Sequence, residues 1–587
     1  MVKRILKKTY KIFFKETPTE KFNREEQENY QKWIKNNEPN KEELKKQCNE
    51  KFKINPKISI VIPLYKTPEN YFIELINSIK EQTYSNWEIC LADGSEKKQK
   101  YLEDILESDS DKIKYKFIGT NKGISENTNE ALKMATGEFI ALVDHDDLLP
   151  KFALYEIVKA INNEPEADFI YSDEDKFIEK NGINIRMLPH FKQDYALDTL
   201  RSYNYICHFT VIKKDLIDKI GNFRAEYDGS QDYDIILRAT ENANKILHIP
   251  KILYNWRINE NSVASGASAK PYAYEAAKRA IISSLERQNI QNAKVEDSKI
   301  TGIYKVTYSI IKEDKISIII VNKNNKKGLK RCINSIMKST YKNFEIIIVD
   351  NNSSEKKLEK YYKKINKNEK IRIESIKETN WNLSKLNNLG AKKATGEYLI
   401  FLNKNIKILS KNWLEIILSN CQRNDVGCIG AKLIYRNKRI KHAGMAINLM
   451  GTVGYLNNNE KSKSPGYFGR IMIQQNVMAV SGELIGISKN LFNKINGFNE
   501  ELSYKFSDVD LCLKIIELGK FVIYNPYIVG CSFSDLQDNP KDSDSKEKQE
   551  EMIKKKWNKY FEKEDRYFNK NFLKNVSNMR INPKKIK

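Results

Sequence analysis

The sequence contains one pattern twice, and this duplication constrains the fold more than any other feature. Ile58-Ser-Ile-Val-Ile returns as Ile316-Ser-Ile-Ile-Ile, and Asp93 at the end of a later apolar run returns as Asp350. Matching residues lie 257 to 259 positions apart. Solenoid repeats are far shorter than this. The sequence therefore predicts two domains of one fold, placed in tandem along the chain.

Short apolar runs alternate with helical patterns in each copy. In the first copy, residues 58–64, 87–92, 113–118 and 138–143 have the length and composition of buried strands, and helical segments lie between them. This alternation indicates an α/β fold with a parallel sheet and helices on both faces. Ligands of such sheets bind at the carboxyl ends of the strands.

Composition narrows the classes of function. The 587 residues are 40% hydrophobic and carry a formal net charge of +24, which favours anionic partners. Lysine is spread along the whole chain, without a nucleic-acid-binding motif, so we expect no nucleic-acid partner. No G-x-G-x-x-G follows the first strand, which argues against a dinucleotide-dependent oxidoreductase. The eight cysteines form no C-x-x-C pair and predict buried thiols of a reducing compartment.

We predict four segments: a helical basic N-terminal extension over 1–57, domains over 58–300 and 301–539, and a charged helical tail over 540–587 that forms an exposed appendage. Residues 1–14 fit either an interfacial membrane helix or an ordinary helix docked on the first domain. No apolar run approaches the length of a membrane span, and no secretory signal is recognisable. We therefore expect a cytoplasmic protein, with peripheral contact at the inner membrane left open.

An acidic cluster follows the fourth strand of the first copy. Asp144, Asp146 and Asp147 occupy four consecutive positions with His145. Neighbouring carboxylates repel each other unless a cation or a donor lies between them. Oxygen ligands suit Mg²⁺ or Mn²⁺, which complete their shells with substrate phosphates. We predict a divalent cation held by Asp144 and Asp146, and we expect Asp147 to cap the next helix.

The second copy lacks these acids. Aligned on the shared Ala-Thr-Gly-Glu, Asp144 falls on Asn403 and Asp146 falls on Asn405, with Lys404 between the two amides. Asparagine supplies no charge, and lysine opposes a cation. We therefore predict that the second domain is catalytically impaired or inactive. Three roles stay open for it: to bind an acceptor glycan, to brace the first domain, or to neutralise a diphosphate through Lys404.

The ordered motifs resemble the family 2 glycosyltransferases, which have the GT-A (Rossmann-like) fold. The motifs that carry the resemblance are Ile60-Val-Ile-Pro-Leu-Tyr, Gln82-Thr-Tyr, Asp93, Gly123-Ile-Ser, Asp144-His-Asp-Asp, Tyr171-Ser-Asp-Glu-Asp-Lys, Asn204-Tyr-Ile-Cys-His, Gly229-Ser-Gln-Asp-Tyr-Asp and Tyr254-Asn-Trp-Arg. In particular, they resemble two-domain bacterial members that build O-antigen, capsule or related surface glycans.

The resemblance implies roles for the matching residues. Asp232 would be the general base, and Asp144 and Asp146 would lie on the metal side of the nucleotide. The nucleotide-sugar pocket would be formed by Pro63, Tyr65, Asp93, Asp144 and Arg257. The acceptor would contact Asp173, Glu174, His208 and Trp256. Relatives carry His where Asn255 stands, so Asn255 receives no metal role.

In the second copy, the resemblance finds remnants of the same site. Asp350 matches the nucleotide-side acid, and Asp508 matches the base, although Ser507 replaces a preceding Glu that is common in relatives. Cys531 stands in a segment where relatives carry His. The second copy therefore retains the nucleotide-side acid and the base-like acid of a transferase domain. Its two metal-binding acids are replaced by Asn403 and Asn405.

The resemblance implies a metal-dependent, inverting, hexosyltransferase-type enzyme. It would move a sugar from a nucleotide-diphosphate sugar to a glycan or lipid-linked glycan, mainly in the first domain. One alternative is a bifunctional transferase with two active domains. Another, of a different class, is a non-catalytic basic protein that binds a membrane surface or a glycan, but it leaves the acidic strand end unexplained.

Overall fold

The computed structural model describes most of the chain, namely residues 18–102, 111–258, 271–377, 381–503, 505–533 and 543–586, apart from the side chains of 18–20 and 543–546. The predicted helix of residues 1–14 lies outside them. Within the described residues, no helix combines the length and apolar character needed to cross a membrane. All eight cysteines are free thiols.

The first α/β unit is built on an eight-stranded sheet. Two helices precede it, α1 (Pro18–Asn37) and α2 (Lys41–Asn49). Its strands are β1 (Ile58–Leu64), β2 (Trp87–Asp93), β3 (Ile113–Phe117), β4 (Phe139–Leu142), β5 (Phe169–Lys180), β6 (Ile183–His190), β7 (Thr210–Lys213) and β8 (Ile246–Arg257). Its helices are α3 (Glu69–Lys80), α4 (Ile124–Leu132), α5 (Ala153–Asn163), α6 (Leu197–Ser202), α7 (Lys214–Ile220), α8 (Gln231–Asn242) and α9 (Pro271–Arg287), with a 3₁₀ turn at Ala225–Tyr227.

The strand order is β3-β2-β1-β4-β7-β5-β6, with β8 beside β5. The predicted parallel sheet is confirmed for β1 to β4, whose pairs are all parallel. Every residue of β2 is buried, because helices cover both faces, and its sequence is correspondingly a continuous apolar run. The sheet as a whole is mixed, since β7 inserts antiparallel between β4 and β5.

The second unit repeats this topology. Its elements after the hairpin β9 (Lys294–Asp297) and β10 (Tyr304–Thr307) are β11 (Ile316–Asn322), α10 (Lys326–Ile336), β12 (Phe344–Asn351), α11 (Lys356–Ile365), β13 (Ile371–Ile376), α12 (Leu383–Lys393), β14 (Tyr398–Leu402), β15 (Ile406–Ile408), α13 (Trp413–Cys421), β16 (Val426–Tyr435), β17 (Ile440–His442), β18 (Met445–Ile447), β19 (Val453–Tyr455), β20 (Gln475–Asn476), β21 (Leu484–Ser488), α14 (Lys489–Lys494), α15 (Ser507–Glu517) and β22 (Phe521–Ser532), with 3₁₀ turns at Leu449–Gly451 and Tyr467–Gly469. The order β13-β12-β11-β14-β21-β16-β22 matches β3-β2-β1-β4-β7-β5-β8. The predicted tandem α/β fold is confirmed.

The repeated Ala-Thr-Gly-Glu segment has a structural role in both units. The N–H of Gly137 donates to Ser59 Oγ at 2.8 Å, and Ser59 donates to the Glu88 carboxylate at 2.7 Å. A Cβ on Gly137 would lie 2.5 Å from the Lys57 carbonyl oxygen, so only glycine fits. Gly396 makes the same hydrogen bond to a serine in the second unit, at 2.9 Å. The shared motif therefore specifies the turn into the fourth strand and not the chemistry after it.

A buried ion pair joins the two units. The Asp198 carboxylate lies 2.6 Å from Arg423 Nη1, and it accepts further hydrogen bonds from Gln474 (2.7 Å) and Asn476 (3.0 Å). Burial alone would raise the pKa of Asp198, but the Arg423 guanidinium holds it below its usual value. The units are thus connected by a fully hydrogen-bonded charge pair.

The C-terminal segment does not form the exposed appendage that we expected. Its helical part is α16 (Ser543–Lys556) and α17 (Asn558–Phe561). Residues 562–586 then run without helix and bury several apolar side chains, including Tyr567, Phe568, Phe572, Met579 and Ile581. Asp565 Oδ2 accepts from the N–H of Ile447 in the second unit at 2.7 Å, and Asn571 Oδ1 accepts from Trp33 of α1 at 3.0 Å. Local composition predicted the charged helix but not these long-range contacts.

Candidate active site

Four predicted site residues lie at one edge of the first sheet. Pro63 and Asp93 stand at the carboxyl ends of β1 and β2, and Asp144 follows the parallel strand β4 two residues after its end. Tyr65, just beyond β1, is exposed. Since β1, β2 and β4 are neighbours, the sheet gathers these side chains at the edge where α/β folds bind ligands.

Asp93 is a rigidly held acid. It is buried, and its carboxylate accepts hydrogen bonds from the N–H of Ser95 at 2.9 Å and from the Tyr115 hydroxyl at 3.1 Å. An Asx-type bond to the residue two positions on fixes the turn after β2. The turn and the acid are therefore positioned together at the predicted nucleotide side.

Asp147 does not cap the next helix, contrary to our expectation. Helix α5 begins at Ala153, and its N-cap, Phe152, makes no side-chain cap bond. Asp147 is instead fully buried, where it accepts hydrogen bonds from the Tyr254 hydroxyl at 2.6 Å and from the N–H of Arg257 at 2.7 Å. Burial, together with the neighbouring acids, raises the pKa of Asp147 well above its usual value.

Asp144, Asp147 and His208 form a group in the first unit that could hold a metal ion. One ligand atom from each lies within 4.8 Å of the others, and His208 Nε2 is 3.8 Å from Asp144 Oδ2. Asp146, the other carboxylate we predicted as a ligand, is not a member of this group. Two carboxylates and an imidazole are donors that fit a divalent cation such as Mn²⁺. The residues present therefore suit the cofactor that the motif implies.

Aromatic rings hold His208 in place. Its imidazole stacks on Tyr254 with ring centroids 4.5 Å apart, and it meets Trp256 edge to face at 5.7 Å. Its backbone N–H donates to the Glu174 carboxylate at 3.2 Å. Two of the predicted acceptor contacts, Trp256 and Glu174, are thus brought against His208.

Glu174 is buried and remains ionised. Lys192 Nζ lies 3.2 Å and His190 Nδ1 lies 3.5 Å from its carboxylate. Burial would raise the pKa of Glu174, but the Lys192 ammonium group and the hydrogen bond with His190 lower it well below the usual range. On the far side, the imidazole of His190 stacks on Phe468 of the second unit at 3.9 Å, so the second unit contributes to this wall.

Asp232 is the second residue of α8 and faces the same cluster. Its Oδ2 accepts hydrogen bonds from Asn204 Nδ2 at 2.8 Å and from Cys207 Sγ at 3.7 Å. Burial raises the pKa of Asp232 above its usual value, and Asp144 adds to the rise while His208 opposes it. A carboxylate with a raised pKa at a ligand-binding edge has the properties of a general base.

Asp234, two residues further along α8, has a structural role. It is fully buried and pairs with Arg224 and with Arg238, the latter at 2.9 Å. Its single negative charge is compensated by these two guanidinium groups. Asp232 and Asp234 are therefore clearly distinguished by their surroundings.

Arg257 lies beneath the acidic loop. Its guanidinium donates from Nε to the Asp146 carbonyl at 2.6 Å and pairs with Glu74 at 2.8 Å. The ring of Tyr71 covers it at 4.2 Å and that of Phe177 at 4.5 Å. With only 2% of the residue exposed, the guanidinium supports the loop backbone, and a contact to the diphosphate stays a prediction.

Asp173, a predicted acceptor contact, is enclosed by its surroundings. His248 Nε2 lies 2.8 Å from its carboxylate, and the side-chain amide of Asn569 donates to it at 3.0 Å. The N–H of Lys192 donates at 2.7 Å. These adjacent acids therefore have different contacts. Asp173 accepts hydrogen bonds from the C-terminal segment, while Glu174 accepts one from His208.

The second unit has side chains at the corresponding positions, but amides replace Asp144 and Asp146. Asn403 Oδ1 accepts from the N–H of Asn405 at 2.9 Å, and Asn405 Oδ1 accepts from Asn325 at 3.0 Å. The two amides that replace the acids are thus occupied in shaping their own loop. Asp350 resembles Asp93, since it accepts from a serine N–H (3.1 Å) and a tyrosine hydroxyl (2.6 Å).

Asp508, the base-like acid of the second unit, is also occupied. Its Oδ2 accepts from the N–H of Gly482 at 2.8 Å, and its Oδ1 accepts from the N–H of Val509 at 2.9 Å. Burial raises the pKa of Asp508, as it does for Asp232. The two acids correspond in position and differ in their neighbours.

Sequence reasoning missed several residues that complete the first site. Asn204 and Cys207 hold Asp232, and Tyr254 links Asp144 to Asp147. All three lie within motifs that carried the family resemblance, so a signal was present. Their roles depend on contacts between distant strands, which no local pattern encodes.

Comparison with known proteins identifies the family of the chain. The sequence profile of glycosyl transferase family 2 matches the chain twice, at residues 59–221 and 317–495. An uncharacterized protein of Sinorhizobium fredii is 36% identical over 480 residues, covering 80% of this chain and 52% of its own length. The O-antigen biosynthesis protein RfbC of Myxococcus xanthus is 28% identical over 503 residues, covering 84% of this chain and 38% of its own length. The chain therefore spans about half or less of these relatives.

A solved structure with a similar fold is that of GalNAc-T7 with UDP, GalNAc and Mn²⁺. It is 18% identical, with a TM-score of 0.36, and the similarity covers 42% of this chain and 50% of that one. A likeness at this level does not extend to ligands or function.

Proposed function

Because the chain belongs to glycosyl transferase family 2, we propose that it is a metal-dependent inverting glycosyltransferase whose chemistry takes place in the first domain. It moves a sugar from a nucleotide-diphosphate sugar to a hydroxyl group of a growing bacterial surface glycan. The observation that carries this proposal is the convergence of Asp144, His208 and Asp232 at one sheet edge. The names of relatives such as the O-antigen protein and a chondroitin synthase support a glycan acceptor.

Asp232 takes the proton in this mechanism. The acceptor hydroxyl loses its proton to Asp232 as its oxygen attacks the anomeric carbon, and the bond to the nucleotide diphosphate breaks in the same displacement. A single displacement inverts the anomeric centre. The raised pKa of Asp232 supports this role, because a carboxylate with a higher pKa is a stronger base. Asn204 orients the carboxylate through its 2.8 Å hydrogen bond.

The cation would be held by Asp144 with Asp146, or by Asp144 with Asp147 and His208. When bound, Mn²⁺ or Mg²⁺ neutralises charge that develops on the departing diphosphate. Asp93 and Tyr65 would contact the nucleoside. Glu174 and Trp256, which border His208, would contact the acceptor.

The second domain lacks charged metal ligands at Asn403 and Asn405, which supports a single catalytic domain. A bifunctional enzyme stays the competing proposal within this class. Peripheral contact with the cytoplasmic face of the inner membrane would depend on residues 1–14. Cell fractionation of a variant without residues 2–14 tests it, and an unchanged distribution between membrane and cytosol would contradict it.

A donor screen tests the central proposal. We expect one nucleotide-diphosphate sugar to raise the melting temperature of the full chain in Mn²⁺. We expect Asp144→Ala, which removes the ligand common to both sets, to abolish transfer. Sugar transfer that continues at the wild-type rate in Asp144→Ala would place the chemistry elsewhere. Asn403→Ala is the matched control in the second domain, and we expect it to retain transfer.

A further inference from the structure

The first helix of each unit carries opposite charge at the ligand-binding edge. Counted from the first helical residue, Glu69 of α3 corresponds to Lys326 of α10, and Glu74 corresponds to Arg331. The first unit thus presents acids where the second presents bases. With Asn403 and Asn405 in place of Asp144 and Asp146, the second unit has four fewer carboxylates and two more cations at these four positions.

A cavity of about 350 Å³ opens at this edge of the second unit. It lies where β11 and β12 end, between the first turns of α10 and α11. Its lining includes the ammonium-bearing side chains of Lys326, Lys327, Lys330 and Lys357, with Glu355 as its one carboxylate. Within the described part of the chain, none of these four lysines forms an ion pair.

This arrangement attracts an anion. Helix α10 has no acid in its first turn, and its N-terminus is capped by Asn325, whose Oδ1 accepts from the N–H of Gly328 at 2.8 Å. Four lysine side chains line one cavity, and three of them, Lys327, Lys330 and Lys357, are exposed. Their ammonium groups can bind phosphate oxygens.

A glutamate that is paired with a lysine stands where the first unit has His208. In the first unit Phe139 pairs with Lys213, and His208 lies five residues before Lys213. In the second unit the corresponding Tyr398 pairs with Ser488, and Glu483 lies five residues before Ser488. Glu483 therefore corresponds to His208. The ammonium group of Lys441 lies 2.7 Å from the Glu483 carboxylate. The one acid at this position is therefore already neutralised by a cation that belongs to the chain.

We propose that the second domain binds the diphosphate group of a nucleotide in this lysine-lined cavity, without a divalent cation. The inference deepens the proposed function, since it assigns the second domain a ligand of the same chemical class as the donor. The nucleoside would lie toward Asp350, which keeps the hydrogen-bonded arrangement of Asp93. Lys326, Lys327 and Lys330 would contact the phosphates.

Calorimetric titration of the full chain tests this proposal. UDP, GDP, ADP and CDP are titrated separately in EDTA and in Mn²⁺. We expect at least one of them to bind in EDTA, and the double variant Lys326→Glu, Lys330→Glu to weaken that binding by about tenfold or more, because two charge-assisted contacts become repulsive. The variant Lys360→Glu, Lys364→Glu makes the same charge change further along α11, and it should bind as wild type does.

Three results would overturn the proposal. They are no binding of any of the four nucleotides in EDTA, binding in EDTA that is unchanged in Lys326→Glu, Lys330→Glu, and binding in EDTA that is lost in Asp93→Ala. The glutamine variant Lys326→Gln, Lys330→Gln shows an intermediate loss if the charge itself is responsible, and melting curves confirm that each variant is folded. Failure of the first-domain function has a separate readout, because it removes the Mn²⁺-dependent transfer and leaves binding in EDTA unaffected.

Discussion

Tyr254→Phe removes one oxygen atom from the centre of the first site. The Tyr254 hydroxyl donates to Asp147 at 2.6 Å and accepts from the N–H of Asp144 at 3.1 Å. Tyr254 is fully buried, so water does not replace the lost partner. Its ring, on which His208 stacks, is retained in phenylalanine. The substitution therefore isolates the role of the hydroxyl in positioning Asp144 and Asp147.

The expected loss follows from these two contacts. Leaving a buried polar group without its hydrogen-bond partner costs about 1–3 kcal/mol, and Asp147 keeps only its bond from the N–H of Arg257. Groups that orient metal ligands typically change metal affinity by about 10–100-fold. We expect the Mn²⁺ concentration for half-maximal transfer to rise by a factor in that range. At saturating Mn²⁺, most of the wild-type rate should return.

The assay is sugar transfer across a Mn²⁺ titration, accompanied by thermal melting of each variant. Tyr524→Phe is the matched control, because Tyr524 is equally buried and its hydroxyl donates to the Ile471 carbonyl at 2.9 Å, in the second unit. It should melt at a lower temperature without a change in Mn²⁺ dependence. If Tyr254→Phe also shows wild-type Mn²⁺ dependence, Tyr254 does not position the metal ligands.

Three further predictions concern the base, the interface and pH. Asp232→Asn should lower kcat by about 10²–10⁴-fold, while calorimetry should show that nucleotide-sugar binding is retained. Equal losses of kcat and of nucleotide-sugar affinity would contradict a role as base. Arg423→Met leaves Asp198 buried and uncompensated, so denaturant unfolding should show a loss of about 3–5 kcal/mol. Lys214→Met, in an exposed pair, should lose at most about 1 kcal/mol. Burial raises the pKa of Asp565 from 3.8 to about 7. The folded state therefore holds this proton more tightly than the unfolded chain, and its stabilising effect is lost between about pH 4 and about pH 8. As the pH rises through that range, the urea concentration that unfolds half of the wild type should fall relative to that for Asp565→Asn. A constant difference between the two midpoints would refute this.

The sequence predicted those parts of the fold that local patterns specify. The strands β1, β2 and β4 lie within a few residues of their predicted bounds, because continuous apolar runs and turn residues mark them. The constant offset between Ile58 and Ile316 predicted the repeated topology. The strand β7 was not predicted, since its antiparallel insertion depends on a partner far away in the sequence.

The residues of the candidate site also fall into those marked by local patterns and those whose roles depend on distant contacts. Asp93, Asp144 and Asp232 were identified from motifs at the ends of strands or the start of a helix. The enclosure of Asp173 and the burial of Arg257 were not predicted, because both depend on groups far away in the sequence. Asn569 lies 396 residues from Asp173, and Glu74 lies 183 residues from Arg257. Residue type and spacing select candidates, and only tertiary contacts separate a reacting group from a supporting one.

The contacts of Asp173 have a consequence for the order of folding. Its partners Asn569 and Asn571 follow it by 396 and 398 residues. At about 5–20 residues per second, a ribosome needs on the order of 20–80 s to reach them. During that interval the first domain contains a carboxylate that lacks part of its final shell. The hydrogen bonds around Asp173 are therefore completed only after both units have been synthesised, and a truncation before Asn569 would remove the bonds that Asn569 and Asn571 donate to the first unit.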